Sequence, residues 1–241
     1  MTLQNPSLLV LLVPWAALLF GGLLGNADAE RTRRMPRRTR MLSSLVLVIA
    51  AWTYVLLSRE SAFADVSLLT AVGMSLGFVG DLFMAKLILK DERHVLGGIG
   101  AFGLGHIAYI AAFLLLGNRL GLDAAASRWS ALAAFWLLGL ICWYGVIYRP
   151  SSERGALHIA SLPYTLLLST TAGIASGLAL QDGRLLPVAL GALLFLISDL
   201  ILAARLFNRT YFRWIDDWVW LTYGPAQMLI VFGMGLLTTS A

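Results

Sequence analysis

The chain has 241 residues, of which 59% are hydrophobic and 13% are charged, and its formal net charge is +5. A soluble domain of this length carries about twice that charged fraction, so the composition excludes an ordinary globular fold. The basic residues lie in short connections between apolar runs, which indicates membrane topology and not a nucleic-acid-binding face. We therefore expect a lipid bilayer around the protein and no nucleic-acid partner.

Eight apolar runs follow one another along the chain, and each is close to the length that crosses a hydrocarbon core of about 30 Å. They predict transmembrane helices at 7–24, 41–57, 66–88, 95–116, 129–147, 157–180, 185–207 and 217–237. The first run has no basic residue before it and arginines directly after it, which is opposite to the polarity of a signal peptide. The fold class expected is an all-α, multi-pass bundle of eight helices that forms a single domain over residues 1–241.

Lysine and arginine are distributed unevenly between alternate connections, with 14 on one side of the predicted bundle and four on the other. Cytoplasmic connections carry the excess of positive charge in membrane proteins. The arginine-rich connection after the first run is therefore expected in the cytoplasm, with both termini outside. A bacterial inner membrane is the expected location, although the same topology also suits the endoplasmic reticulum.

Two acidic residues lie inside apolar runs: Asp81 in FVGDLFMAKL and Asp199 in LISDLILAAR. An ionisable group in a transmembrane segment costs at least about 2.5–3.5 kcal/mol on insertion scales, so such groups usually face a bundle interior or a wet cavity. Lys86 follows the first aspartate by five residues and Arg205 follows the second by six, which predicts similar depths in the cytoplasmic half of the bilayer. The structural alternatives are a cap on a neighbouring helix or an ion pair with these bases.

The two aspartate segments are similar to each other, since GDLFMAKLI and SDLILAARL share Asp, Leu and Ala in register. The aspartates are 118 residues apart, a period of four predicted helices, and an even number makes a repeat parallel. Each is followed by a helix with a polar group, His106 in GLGHIAYI and Gln227 in YGPAQMLI. A parallel 4+4 repeat is one interpretation, and convergence of short membrane motifs is the other.

Five motifs occur in order over about positions 66–232: GDLFMA, GAFGLGHIAYI, LPYTLLL, GALLFLISDLILAARLF and TYGPAQMLI. Together they resemble the YhhN family, the membrane lysoplasmalogenases. The resemblance implies an eight-helix hydrolase that cleaves the vinyl ether bond of lysoplasmalogens and releases a fatty aldehyde and a glycerophospho head group. It implies site residues at the motif positions, which are Asp81, His106, Tyr109, Tyr164, Ser198, Asp199, Tyr223 and Gln227. The first two runs and the arginine-rich connection carry no matching motif.

The chemistry of a vinyl ether suits a pair of carboxyl groups. Protonation at carbon gives an oxocarbenium ion that water captures, so one neutral acid and one carboxylate are needed, as in two-carboxylate glycosidases. Burial in a medium of low dielectric constant favours the neutral form of a carboxyl group, and two close carboxyl groups tend to share a proton. We expect Asp81 and Asp199 to form this acid/base pair, with neither assigned as the donor.

The remaining site residues are expected to bind the substrate. His106 and Gln227 would position water or the ether oxygen, and the three tyrosines of the motifs would line the cavity. Lys86, Arg205 or an arginine of the cytoplasmic connections would bind the phosphate, while the hydrocarbon chain lies in an apolar cavity. The expected partners are thus a lysophospholipid and water.

Neither a metal nor a cofactor is expected. The three histidines lack the HxxxH and HExxH spacings, and the sequence has no Walker loop and no GxSxG elbow. Two other classes of function remain open: a proton-coupled transporter, which also uses paired membrane carboxylates, and a lipid-binding or scaffold protein. A transporter would move a solute in response to pH without a product, and a scaffold would tolerate Asp→Asn substitutions.

Overall fold

The computed structural model describes residues 10–150 and 155–239, and within these ranges the chain forms helices and no strand. The helices are α1 Leu12–Gly21, α2 Arg37–Ser58, α3 Ala64–Met84, α4 His94–Arg119, α5 Ala125–Trp143, α6 Ala156–Ala179, α7 Leu186–Asn208 and α8 Ile215–Thr239. Short turns extend three of them: 3-10 turns at Gly22–Leu24 after α1 and Gly183–Leu185 before α7, and a π-helical turn at Tyr144–Tyr148 after α5.

Seven helices, α2 to α8, are long and apolar enough to cross a membrane, which confirms the prediction of an all-α, multi-pass fold. The segment Leu12–Leu24 is a shorter apolar helix, and residues 1–9, which include the start of the first predicted span, lie outside the described residues. The third span ends at Met84 and not at 88. Lys86 has a left-handed φ of 58°, and its N–H donates to the Phe83 carbonyl oxygen at 2.9 Å, which closes the helix.

Consecutive helices pack side by side, most extensively in the pairs α3–α4, α7–α8 and α5–α6. Helix α2 contacts α3 and α8, and α4 contacts α6, so these contacts close the bundle. Helix α5 is peripheral, since few of its residues are buried and its main contact with α7 is through the π-helical turn. Each aspartate-bearing helix packs most extensively on the helix that follows it, but so does α5 on α6. The 4+4 repeat therefore stays a prediction.

Alternate connections lie at the same end of the bundle. At one end, the Trp214 N–H donates to the Arg31 carbonyl oxygen at 2.9 Å, joining the first connection to the last. At the other end, Arg119 bonds to Asp65, and the Ala124 N–H donates to Gln181 Oε1 at 2.8 Å. The end formed by connections 25–36, 85–93 and 209–214 is called the basic end below.

Candidate active site

A cavity of about 1050 Å³ opens at the basic end and is called the polar cavity here. Asp81 of α3 and Asp199 of α7 both line its wall. The two intramembrane acids, which are distant in the chain, thus border one common space. This arrangement follows from their similar depth on two helices that both run towards the basic end.

Asp81 is fixed by side chains from two other helices and is only 3% exposed. Its Oδ2 accepts hydrogen bonds from Ser44 Oγ of α2 at 2.5 Å and from the Tyr223 hydroxyl of α8 at 3.1 Å. Behind Tyr223, the Gln227 Nε2 donates to the tyrosine hydroxyl at 3.3 Å, and the Tyr109 hydroxyl of α4 donates to Gln227 Oε1 at 2.7 Å. This chain of donors holds the carboxyl group in one orientation.

Glycines on α3 make room for this chain of hydrogen bonds. Gly73 and Gly77 are four residues apart, so they lie on one face of α3, together with Asp81. A Cβ atom at Gly73 would lie 2.6 Å from the Tyr109 ring, and one at Gly77 would lie 2.6 Å from Gln227 Nε2. The absence of side chains on this face allows the two polar groups to approach the helix that carries Asp81.

Asp199 has a different environment, because it is only partly buried. Its Oδ2 accepts one hydrogen bond, from the Tyr164 hydroxyl of α6. The neighbouring Ser198 also lines the polar cavity, but its Oγ donates to the Val219 carbonyl oxygen at 3.0 Å and so ties α7 to α8.

A second cavity of about 350 Å³ lies between α4, α5, α6 and α7 and is called the apolar cavity here. Its walls are mostly aliphatic and aromatic side chains, with Tyr164 and Asp199 among the few polar ones. Five residues line both cavities: Met84, Phe102, Asp199, Leu202 and Leu206. A polar space and an apolar space therefore meet along a shared wall whose one ionisable residue is Asp199.

One comparison with known proteins gives a match. The YhhN family model matches residues 37–234, from the start of α2 to the last turns of α8. The chain belongs to the YhhN family. The match includes α2, which carries no motif recognised in the sequence, and it excludes α1. Comparisons with curated proteins and with solved structures gave no match.

Six basic side chains surround the polar cavity of this YhhN protein: Arg33, Arg34, Arg37, Arg40, Lys86 and Arg205. The arginine-rich connection that supplies the first of them is held in place by Asp217 at the start of α8. The Asp217 carboxylate, which is 1% exposed, accepts from the backbone N–H groups of Arg34 at 3.0 Å and Met35 at 3.1 Å. The first connection is therefore an ordered wall of the cavity.

Three predicted substrate-binding residues of the YhhN motifs, His106, Tyr109 and Gln227, line neither of these two cavities. His106 Nδ1 lies 3.0 Å from Thr171 Oγ1, within hydrogen-bond distance. Contact of these three residues with a substrate stays a prediction. A chain of hydrogen bonds connects Tyr109 and Gln227 to Asp81 through the Tyr223 hydroxyl.

Lys86, Ser198 and Tyr223 line the polar cavity, and Tyr164 lines the apolar one. The structure thus brings these four predicted residues to the cavities that contain the aspartates.

Among the described residues, no group of three or more His, Cys, Asp or Glu side chains is arranged to hold a metal ion.

The sequence interpretation missed two side chains at the site of this YhhN chain, Ser44 and Asp217, and it included Arg40 only as one of several arginines of the cytoplasmic connections. Arg40 and Ser44 are four residues apart at the start of α2, so they share a face, and this spacing was the available signal. In the sequence, Asp217 is the first residue of the last predicted span, 217–237, where an acidic residue is ordinary. Asp217 lies in the first turn of α8, opposite the arginine-rich connection. An acid in that position indicates that it holds the connection in place.

Proposed function

We propose that the protein hydrolyses the vinyl ether bond of a lysoplasmalogen and releases a fatty aldehyde and a glycerophospho head group. The observation that carries this proposal is the position of Asp199 at the junction of the polar and apolar cavities. A lysoplasmalogen has a charged head group and one hydrocarbon chain, and its vinyl ether bond lies where they meet. Membership of the YhhN family is compatible with a hydrolase.

In this proposal the substrate lies across the junction. The hydrocarbon chain occupies the apolar cavity between α4 and α7, and the head group occupies the polar cavity at the basic end. The chain comes from a bilayer and is already out of water, so van der Waals packing against the aliphatic side chains is what holds it, with the vinyl ether beside the carboxyl groups.

The hydrogen bonds at the two aspartates support a division of roles. A donated hydrogen bond stabilises the anionic form of a carboxyl group. Asp81 is the more buried of the two, which alone favours the neutral form, but it accepts two such bonds, so we assign it as the carboxylate that activates water. Asp199 accepts one bond and borders the apolar cavity, so we assign it as the acid.

The reaction then proceeds in three balanced steps. Asp199 transfers its proton to the vinyl carbon remote from oxygen, the π electron pair forms the new C–H bond, and an oxocarbenium ion remains. Water adds to the cationic carbon and loses a proton to Asp81, which gives a hemiacetal. The hemiacetal hydroxyl returns a proton to Asp199 while its C–O bond to glycerol breaks and the departing oxygen takes a proton from Asp81. One water is consumed, and both carboxyl groups regain their starting forms.

The orientation in the membrane belongs to the same proposal. The basic end carries the larger share of lysine and arginine, and such ends face the cytoplasm. The polar cavity would then admit water and head groups from the cytoplasmic side of a bacterial inner membrane, with both termini outside.

The decisive experiment measures aldehyde release from a lysoplasmenyl lipid by purified protein in detergent. Asp81→Asn and Asp199→Asn should each lower the rate by about 10²–10⁴-fold, the usual contribution of a general acid or base. Asp123→Asn, which removes an exposed carboxylate in the connection between α4 and α5, serves as the control and should keep the wild-type rate. Near-native activity in either site variant would remove that aspartate from the mechanism.

The same protein tests the two other functions. A proton-coupled transporter in liposomes would move a solute in response to a pH gradient and release no aldehyde. A lipid-binding protein would bind lysolipid without product, and the asparagine variants would bind as well as the wild type. Either result with an inactive wild type would contradict the hydrolase proposal.

A further inference from the structure

The basic residues around the polar cavity are not equally available to a ligand. Three of them already pair with carboxylates of the protein: Arg33 with Asp28 at 3.5 Å, Arg34 with Asp217 at 3.2 Å, and Arg205 with Asp216. The other three, Arg37, Arg40 and Lys86, form no ion pair with any described residue. The positive charge that remains free is therefore concentrated on the first turn of α2 and on Lys86.

Arg40 differs from the other two free cations in its burial. Arg37 and Lys86 are exposed at the rim, whereas Arg40 is partly buried in the wall. Its guanidinium carbon lies 5.4 Å from the centroid of the Trp220 ring, so the aromatic face holds the side chain at the cavity. The Arg40 Nε–H is buried and has no hydrogen-bond partner among the described residues. A buried donor without a partner is costly, and an anionic ligand would satisfy it.

The spacing of residues along α2 places Arg40 about one helical turn from Ser44, which contacts Asp81. Arg37, Arg40 and Ser44 follow a spacing of three and four residues, so they lie along one face from the rim inward. Ser44 contacts Asp81, and the four residues from Arg40 to Ser44 correspond to a rise of about 6 Å along the helix. In a lysophospholipid, three carbons and one oxygen separate the ether oxygen from phosphorus, which is about 6 Å when extended.

We propose that Arg40 binds the phosphate group of the lysophospholipid, with Arg37 assisting at the rim. The proposal rests on the absence of an ion pair at Arg40 among the described residues, on its unpaired Nε–H and on its position one helical turn from Ser44. A guanidinium group presents parallel N–H donors that match two phosphate oxygens. The site deepens the proposed function by selecting substrates with a phosphodiester over neutral ether lipids. Of the alternatives that the sequence left open, Lys86, Arg205 or an arginine of the cytoplasmic connections, the proposal selects the last, since Arg205 is already paired with Asp216.

The test separates phosphate binding from catalysis by using ligands that cannot be hydrolysed. The probes are a saturated alkyl ether lysophosphocholine and the matching alkylglycerol, which lacks the phosphate. Their dissociation constants are measured with purified protein in a non-ionic detergent by calorimetry. The variants are Arg40→Gln and Arg40→Lys, and the control is Arg38→Gln, which removes the same charge from the same turn at a residue that does not line the cavity.

Arg40→Gln should weaken binding of the alkyl lysophosphocholine by about tenfold or more, because a charge-assisted bidentate contact is lost. Arg40→Lys should retain part of the affinity, and the control should match the wild type. Binding of the alkylglycerol should stay the same in all variants. A folded Arg40→Gln variant with wild-type affinity for the phospholipid, or with equal losses for both ligands, would overturn the phosphate site.

The outcome is distinguishable from a failure of the proposed reaction. If the wild type binds the phospholipid in an Arg40-dependent manner but releases no aldehyde from a lysoplasmenyl lipid, the phosphate site stands and the hydrolase proposal fails. If the wild type cleaves the vinyl ether while Arg40→Gln keeps the wild-type KM, the hydrolase proposal stands and the phosphate site fails.

Discussion

At the scale of single residues, the two carboxyl groups differ in how many donors hold them. Asp81 is tied to α2 by Ser44 and to α8 by Tyr223, whereas Asp199 is tied to α6 by Tyr164 alone. A group that activates water needs a fixed orientation, because small misplacements of a catalytic group reduce rates steeply. The donors to Asp81 are therefore expected to affect catalysis more than stability.

We expect Ser44→Ala and Tyr223→Phe each to lower kcat for aldehyde release by about 10–100-fold, since each loses one hydrogen bond to a charged group worth about 1.5–3 kcal/mol. The matched control is Ser43→Ala. Ser43 is as buried as Ser44, but its Oγ donates to the Arg40 carbonyl oxygen within the same helix at 2.8 Å. Equal losses in Ser43→Ala and Ser44→Ala would mean that the bond to Asp81 has no special role.

The sequence predicts the depth of these residues better than their direction around a helix. The high cost of an intramembrane carboxylate was enough to single out Asp81 and Asp199. The expectation that His106 contacts the substrate comes from the resemblance to the YhhN motifs and stays a prediction, while its ring contacts Thr171 and Phe195 and lines neither cavity. Ser44 was missed because an apolar helix accepts a serine readily by bonding it to its own backbone, so its composition gives no signal.

At the scale of helices, α3 acts as the support of the site, because its glycines determine which neighbours reach Asp81. Gly77 is the sensitive position, since Gln227 Nε2 occupies the place of its missing side chain.

The bounds of α3 were predicted only to within a few residues. Hydropathy continued through 88, whereas the left-handed backbone at Lys86 ends the helix, and no pattern in LFMAKLI indicates that conformation.

We expect Gly77→Ala to reduce aldehyde release by about fivefold with little loss of thermal stability. The new methyl group would displace the flexible end of Gln227 and break its bond to Tyr223, which costs about 1 kcal/mol. Gly100→Ala is the control, because a Cβ atom there meets nothing within 4 Å. Melting curves of both variants check the fold. A fully active Gly77→Ala protein would show that Gln227 does not support Asp81.

At the scale of the whole molecule, hydropathy predicts the number of helices, and the distribution of charge predicts which connections share an end of the bundle. The structure has seven membrane-length helices and one shorter apolar helix among the described residues. The junction of two cavities was not predictable in the same way. It arises because α5 is peripheral and packs mainly on α6, which leaves an apolar space between α5 and α7. Such a space depends on relative helix positions, which a single sequence does not specify.

Cys142 of α5, the single cysteine in the chain, lines the apolar cavity and provides a direct test of what occupies it. A hydrocarbon chain in this cavity would cover the thiol, so only the unoccupied protein would react. We expect saturated alkyl ether lysophosphocholine at about ten times its dissociation constant to slow labelling by N-ethylmaleimide about tenfold, in proportion to the free fraction. Glycerophosphocholine, which has the head group without the chain, is the control ligand and should not protect. Unchanged labelling under saturating lipid, measured by intact-protein mass spectrometry, would place the chain elsewhere and separate the apolar cavity from the reaction.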